Sequence, residues 1–174
     1  LCFEPSPTAR TFLFESTRPY RNIEIVPKAV GKISGEVSFK ERDQLDQSHC
    51  VNDGEIDCFV VPLISLDEEW DDRGKPNVDF IKVDVEGFDA NVFEGASSII
   101  SNTRPNIMFE ALSDKEYFKI LELLKSYSND YEFFRIHHDG TAKKPTKPSI
   151  STGDGTHNYL ASNSKPRKHT CVTF

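Results

Sequence analysis

No apolar run in these 174 residues approaches the ~20 that a membrane-crossing helix requires. No stretch has the basic-then-apolar layout of a signal peptide. No membrane span is therefore expected, and a cytoplasmic location is favoured. Cysteines are few and scattered: Cys2, Cys50, Cys58 and Cys171 form no C-x-x-C pair, which argues against a disulfide framework. His49, Cys50 and Cys58 are near neighbours, but structural zinc sites use two closely spaced ligand pairs, so no metal is expected there. Asn-x-Ser/Thr is absent, which removes one sign of an extracellular protein. Positive charge is in deficit: 21 basic against 28 acidic residues give a net charge of −7, excluding a nucleic-acid binder that works through a broad basic face. The tail runs against this balance, because Lys143, Lys144, Lys147, Lys165, Arg167 and Lys168 have few acidic neighbours. Such a tail is either a solvated segment or a contact for an anionic partner.

What is present suffices for one domain with a real core. Hydrophobic residues are 37% of the chain and include 13 Phe, and the length is that of a typical domain. The chain opens on Leu1 inside an apolar run, so an incomplete or processed chain is expected.

Leu1-Cys2-Phe3 reads as the end of a strand stopped by Pro5 and Pro7, and Pro7 opens a short helix over 8–16. Residues 22–26 alternate as a strand does, and Val30-Gly31 leads to a turn. Residues 36–39 form a second short strand, and the polar, acidic stretch 40–56 reads as loop. Residues 59–64 are apolar and β-branched, with Pro62 placing them on a sheet edge or at a strand's end. The clearest buried strand is 78–85. Val92, Phe93, Ala96, Ile99 and Ile100 keep the 3.6-residue period of a helix. So do Tyr117, Ile120, Leu121 and Leu124, with Ser113 or Asp114 as cap. Strands follow at 105–110 and 131–136, then an Asp139-Gly140 turn, a Pro- and Lys-rich loop over 141–156, and a last strand at 157–161. Alternating strands and helices predict a parallel, doubly covered α/β sheet, with residues 1–140 as the domain and 141–174 as loop, final strand and basic tail.

In such sheets ligands sit beyond the carboxyl ends of the strands. Three strands here end on carboxylates: Glu4, then Asp84 with Glu86, then Glu110. A carboxylate at a buried strand's end needs water, a cation or hydrogen-bond donors, so the three together point to a shared polar cleft. Glu4 is either an ordinary loop carboxylate or an acceptor for both hydroxyls of a ribose. Lys82, Asp84 and Glu86 project to one side of their strand, and Lys82 needs a partner, either Asp84 or Glu110. Asp84 and Glu86 are suited to holding an amino group, binding a divalent metal or taking a proton from a hydroxyl. Gly87 allows the tight turn that follows.

The run Val78-Asp79-Phe80-Ile81-Lys82-Val83-Asp84-Val85-Glu86-Gly87-Phe88-Asp89, followed by Val92, Gly95-Ala96, Arg104-Pro105 and 107–110, resembles the core signature of FkbM-type methyltransferases. Phe3-Glu4-Pro5, Val26-Pro27-Lys28-Ala29-Val30 with Gly35, and Ser65-Leu66-Asp67 within 63–70 resemble flanking motifs of that family, in order over 1–135. The resemblance implies a Rossmann-like class I methyltransferase fold, S-adenosylmethionine as cofactor, and methyl transfer to a hydroxyl oxygen of a small molecule or glycan. Carried over by position, Glu4 binds the ribose, and Lys28 and Ala29 lie near adenine. Asp84 and Glu86 stand by the methionine part and the acceptor as the catalytic pair, and Glu110 is a further acceptor-side residue, with no metal required. Deprotonation of the acceptor falls to Asp84, Glu86 or His157. The family's first strand and glycine-rich loop precede Phe3-Glu4-Pro5, so the fold is expected to be incomplete at its N-terminus and these residues alone inactive.

Two other functions are compatible with the residues. A degenerate, non-catalytic methyltransferase fold would bind partners, for instance through the basic tail. A metal-dependent hydrolase would use Asp84, Glu86 and Glu110, though the chain lacks clustered histidines.

Overall fold

The computed structural model describes residues 1–41, 49–51, 58–145 and 157–163. Most of the expected 40–56 and 141–156 loops, Lys147, Lys165, Arg167, Lys168, Cys171 and the side chains of His49 and Cys50 lie outside the described residues.

Strand β1 (Cys2–Phe3) leads into helix α1 (Pro7–Thr17), whose start is set by Pro7 and by the Ser6 hydroxyl accepting from the Ala9 N–H at 2.9 Å. Strand β2 (Ile25–Val26) returns parallel to β1. Next come β3 (Ala29–Val30), β4 (Gly35–Lys40), β5 (His49–Val51) and β6 (Phe59–Ile64), forming a four-stranded sheet in the order β3-β6-β4-β5. Val30-Gly31 leads into the bend at 32–34 as expected, and Ala29 and Val30 themselves form a strand by pairing with Leu63 and Ile64. Two expectations are corrected here. Residues 49–51, inside the polar stretch read as loop, pair with β4 as β5. β6 is an interior strand despite Pro62, which is tolerated because β3 engages only Leu63 and Ile64 and needs no donor from the proline.

Helix α2 (Leu66–Asp72) begins at Ser65, which caps it through the Glu68 N–H. Strand β7 (Phe80–Val83), helices α3 (Asp89–Glu94) and α4 (Ser97–Thr103), strand β8 (Asn106–Glu110), helix α5 (Asp114–Tyr127) and strands β9 (Tyr131–Ile136), β10 (Ala142–Lys143) and β11 (Asn158–Asn163) complete the order. The five-stranded sheet runs β10-β9-β11-β8-β7. β7 and β8 are parallel as expected, but the sheet is mixed: β11 inserts between β8 and β9, antiparallel to both. β7 stands at the end of the sheet, so only Val83 of its residues is fully buried, against the expectation of a buried strand. The expected single helix through 92–100 is two helices, broken at Gly95-Ala96.

Alternate residues of the five-stranded sheet (Val83, Ile107, Phe109, Tyr159, Ala161, Tyr131, Phe133) pack with Phe93, Ile100, Ile120 and Leu124 of the helices in one cluster. Phe109 is its centre, edge-on to Phe93 and stacked with Tyr117 and Tyr159. The opposite face carries the row Lys82, Met108, Leu160, Phe134, none of them fully buried. Val30 belongs to the same cluster and Phe3 packs against it, which ties β1 and β3 to the sheet that carries the acids. A second, smaller cluster joins Ala29, Phe39 and Val61. Among the described residues no helix is long and apolar enough to cross a membrane.

Candidate functional site

The parallel register of β7 and β8 pairs Ile81 with Ile107 and Val83 with Phe109, so the two strands stop side by side. Their next polar residues, Asp84 and Glu110, are thereby neighbours. Glu86 reaches the same place because the chain turns through two left-handed residues, Glu86 (φ 50) and Gly87 (φ 84). Gly87 adopts this without penalty; Glu86 does so at a cost of ~1–3 kcal/mol, a form of strain that collects at functional sites. One carboxylate oxygen each from Asp84, Glu86 and Glu110 lies within 4.8 Å of the others.

Three like charges at this spacing repel. Burial pushes the Glu110 carboxyl above its ordinary range, and the charges of Asp84 and Glu86 push it further, opposed by His157 and Lys82. Lys82 finds its partner in Asp84, at 2.7 Å, rather than in Glu110. The three carboxylates are hard oxygen donors whose spacing suits a divalent cation, with Lys82 already supplying one compensating charge. β11 brings His157 alongside: its carbonyl accepts the Ala111 N–H at 3.0 Å, while Asn158 pairs with Glu110. The buried His157 Nδ1 has no partner among the described residues. Leu112, half-exposed, adds an apolar wall beside Gly87.

The other sequence-derived candidates form a second group. Glu4 follows β1, its N–H donating to the Val26 carbonyl and its Oε1 accepting from the Ser6 N–H at 2.8 Å. Burial raises its pKa, which the Ser6 bond and Arg10 oppose. Lys28 lies in the turn between β2 and β3, its ammonium 3.7 Å from Glu69. Glu69 is buried and also bonds Arg73 at 2.6 Å, and Arg73 grips Glu24 with both terminal nitrogens. Ala29 is buried in β3. The structure thus gathers Asp84, Glu86, Glu110 and His157, and sets Glu4, Lys28 and Ala29 in a separate group bordering the same core through Phe3 and Val30.

Sequence reasoning passed over Asp89, the first residue of α3. It is 1% exposed, accepts a hydrogen bond from the Val85 N–H, and its Oδ1 has no partner among the described residues. Burial, with repulsion from Glu116, Asp84 and Glu110, pushes its carboxyl up to about 7. Asp89 closes the family-like run, but an acidic residue opening a helix is so common a dipole partner that nothing in the sequence marks its burial.

The family model described as the methyltransferase FkbM domain matches residues 3–161. A solved structure, the methyltransferase FkbM from Methylobacillus flagellatus KT, is similar in fold with a TM-score of 0.61 at 18% identity. The match covers 91% of this chain and 35% of that one, so the chain spans about a third of that protein's length. No curated protein matches.

Proposed function

The chain belongs to the methyltransferase FkbM-domain family, and from that premise we propose that the full-length protein transfers a methyl group from S-adenosylmethionine to a hydroxyl oxygen of a small molecule or glycan. The observation that carries this reading is the convergence of Asp84, Glu86 and Glu110 beyond the ends of two parallel strands, where α/β sheets bind their ligands.

The residues present fit an adenosyl group. Glu4 is half-buried at a strand's end, and its second oxygen has no partner among the described residues. An ionised carboxylate only accepts, which is what two ribose hydroxyls require. Residues 28 and 29 would then border the adenine, with the Lys28 side chain drawn to Glu69. Asp84, beside Lys82, would attract the methionine ammonium.

The cofactor supplies an electrophilic methyl carbon on a sulfonium, which intrinsically favours transfer. What is left to the protein is alignment and desolvation, with a base to collect the hydroxyl proton. Asp84 and Glu86 would accept hydrogen bonds from the acceptor's hydroxyls and so orient the acceptor. Glu110, a better proton acceptor for having its pKa raised, would take the hydroxyl proton, with His157 beside it, while the methyl exchanges its bond to sulfur for one to oxygen and the cofactor leaves as the neutral thioether. Leu112 holds an apolar part of the acceptor against Gly87. Three acceptor-only side chains favour a neutral polyhydroxyl compound over an anionic one.

Calorimetric titration of the full-length protein with S-adenosylmethionine tests the first half: saturable one-to-one binding is expected, and no heat at millimolar cofactor would refute it. Production of S-adenosylhomocysteine across a panel of glycans and polyols tests the second. Binding without turnover on any acceptor would instead favour a degenerate binding module.

A further inference from the structure

We propose that Asp67 is a positioning residue for cofactor binding: its carboxylate fixes the α3–α4 junction on which the 28–31 segment, β3 with one residue on either side, rests. This inference depends on the adenine placement proposed above.

Helix α4 has no cap of its own, since Ala96 occupies the cap position and offers no side-chain acceptor. Its first turn is held instead from α2. Asp67 Oδ1 accepts from the Ile99 N–H at 2.8 Å, and Oδ2 accepts from the Ser98 N–H at 2.9 Å and the Ser97 hydroxyl at 3.0 Å. Three donors on one carboxylate satisfy the helix start and neutralise the positive end of its dipole. Asp67 also binds the junction through its backbone, its N–H donating to the Gly95 carbonyl at 2.9 Å.

Gly95 is where this hold reaches the end of β3. A Cβ at that position would overlap the carbonyl oxygen of Gly31 and lie 3.0 Å from that of Lys32. The two backbones therefore touch, so the segment is held between its pairing to β6 and the junction beneath it. Around the contact, the Gly31 N–H donates to the Ile64 carbonyl, Lys32 pairs with Glu94 at 2.9 Å, and Phe88 closes the space beside Gly31. Ser65-Leu66-Asp67 thus ties the end of β6, the junction and the end of β3 into one unit. If Asp67 releases α4, the junction shifts and the 28–31 segment follows.

The test uses the full-length protein with Asp67→Ala and Asp67→Asn, titrated calorimetrically with S-adenosylmethionine and with methylthioadenosine, which keeps the adenine and ribose but lacks the amino acid. Asp67→Ala is expected to raise Kd for both ligands roughly tenfold at unchanged stoichiometry, the scale of losing a charge-assisted bond. Asp67→Asn keeps one oxygen acceptor and gives a smaller rise for both. A merely structural role would instead lower the melting temperature and the binding-competent fraction while leaving Kd within twofold, and that result overturns the proposal. So does a loss seen with S-adenosylmethionine alone, which would place the effect at the methionine end. If Asp67→Ala does not fold, Asp67→Asn decides by the same criteria. Wild-type protein that binds neither ligand would instead bring down the functional reading, and this inference with it.

Discussion

The two groups of candidate residues stand on different foundations. Asp84, Glu86 and Glu110 sit at the ends of strands anchored in the large cluster around Phe109, whose neighbours are aromatic and fully buried. Glu4, Lys28 and Ala29 stand on two-residue strands that meet the large cluster only through Phe3 and Val30, with Ala29 in a smaller cluster beside Phe39 and Val61 and a chain of charges running from Lys28 through Glu69 and Arg73 to Glu24. Helix α1 buries none of its residues, with Phe12 and Phe14 more than 60% exposed. Apolar burial is not weakened by salt, whereas ion pairs are screened by it. The difference sets the acids on the apolar side of the molecule and Glu4, Lys28 and Ala29 on the polar, conditional side.

The strongest way to break the comparison is Phe109→Ala. It removes the centre of the large cluster and should cost ~3–5 kcal/mol, read from urea unfolding of the full-length protein. If Phe39→Ala in the smaller cluster costs as much, the two sides are equally anchored and the contrast fails.

Asp89 sharpens it at the buried side. Its carboxyl is raised from 3.8 to about 7, so the folded protein holds this proton more tightly than the unfolded chain. The stability tied to it is complete below about pH 4 and is lost as the pH climbs through 7. Asp89→Asn keeps an acceptor for the Val85 N–H and carries no charge. Above pH 7.5 it should raise stability by a few kcal/mol at most and flatten the dependence of unfolding free energy on pH between 4 and 8. An unchanged pH profile would show that Asp89 ionises freely where it is.

At the acids, Glu86→Gln and Glu110→Gln should lower methyl transfer at least tenfold, an effect of ~1.4 kcal/mol, while leaving cofactor affinity within twofold. A fall in cofactor affinity of the same size would move these residues to the cofactor's side of the site.

The smallest effect is expected at Glu94, which joins the regions by bonding Lys32 at 2.9 Å and Lys119 at 2.7 Å. Both lysines are more than half exposed, so Lys32→Met should cost less than ~1 kcal/mol and its effect should vanish in molar salt. Melting curves at two salt concentrations decide this.

Most of the large-core region was legible in the sequence. Val83, Ile107, Phe109 and the α5 positions Tyr117, Ile120 and Leu124 follow local periods that the chain alone displays. The acids were legible for the same reason, as polar ends of apolar runs. What was hidden depended on partners remote in sequence. Nothing near Gly95 says that its backbone must meet Gly31, so the helix break was invisible. Pro62 signals an edge, and only the shortness of β3 lets it sit inside a sheet. The polar residues 49–51 become a strand because β4 offers them a ladder. Asp67 reads as an ordinary first-turn acid of its own helix while serving another.

The place of β11 bears on how the protein is made. Strands β8 and β9 share no ladder; each is joined to β11. During synthesis, the residues through 136 can leave the ribosome with their helices formed while a strand-wide gap remains between β8 and β9. Only when 158–163 emerge can that gap close, burying Tyr159 and Ala161 and bringing His157 to Glu110. Until then the nascent chain presents two unsatisfied strand edges, the kind of exposed ladder on which strands of other chains can pair.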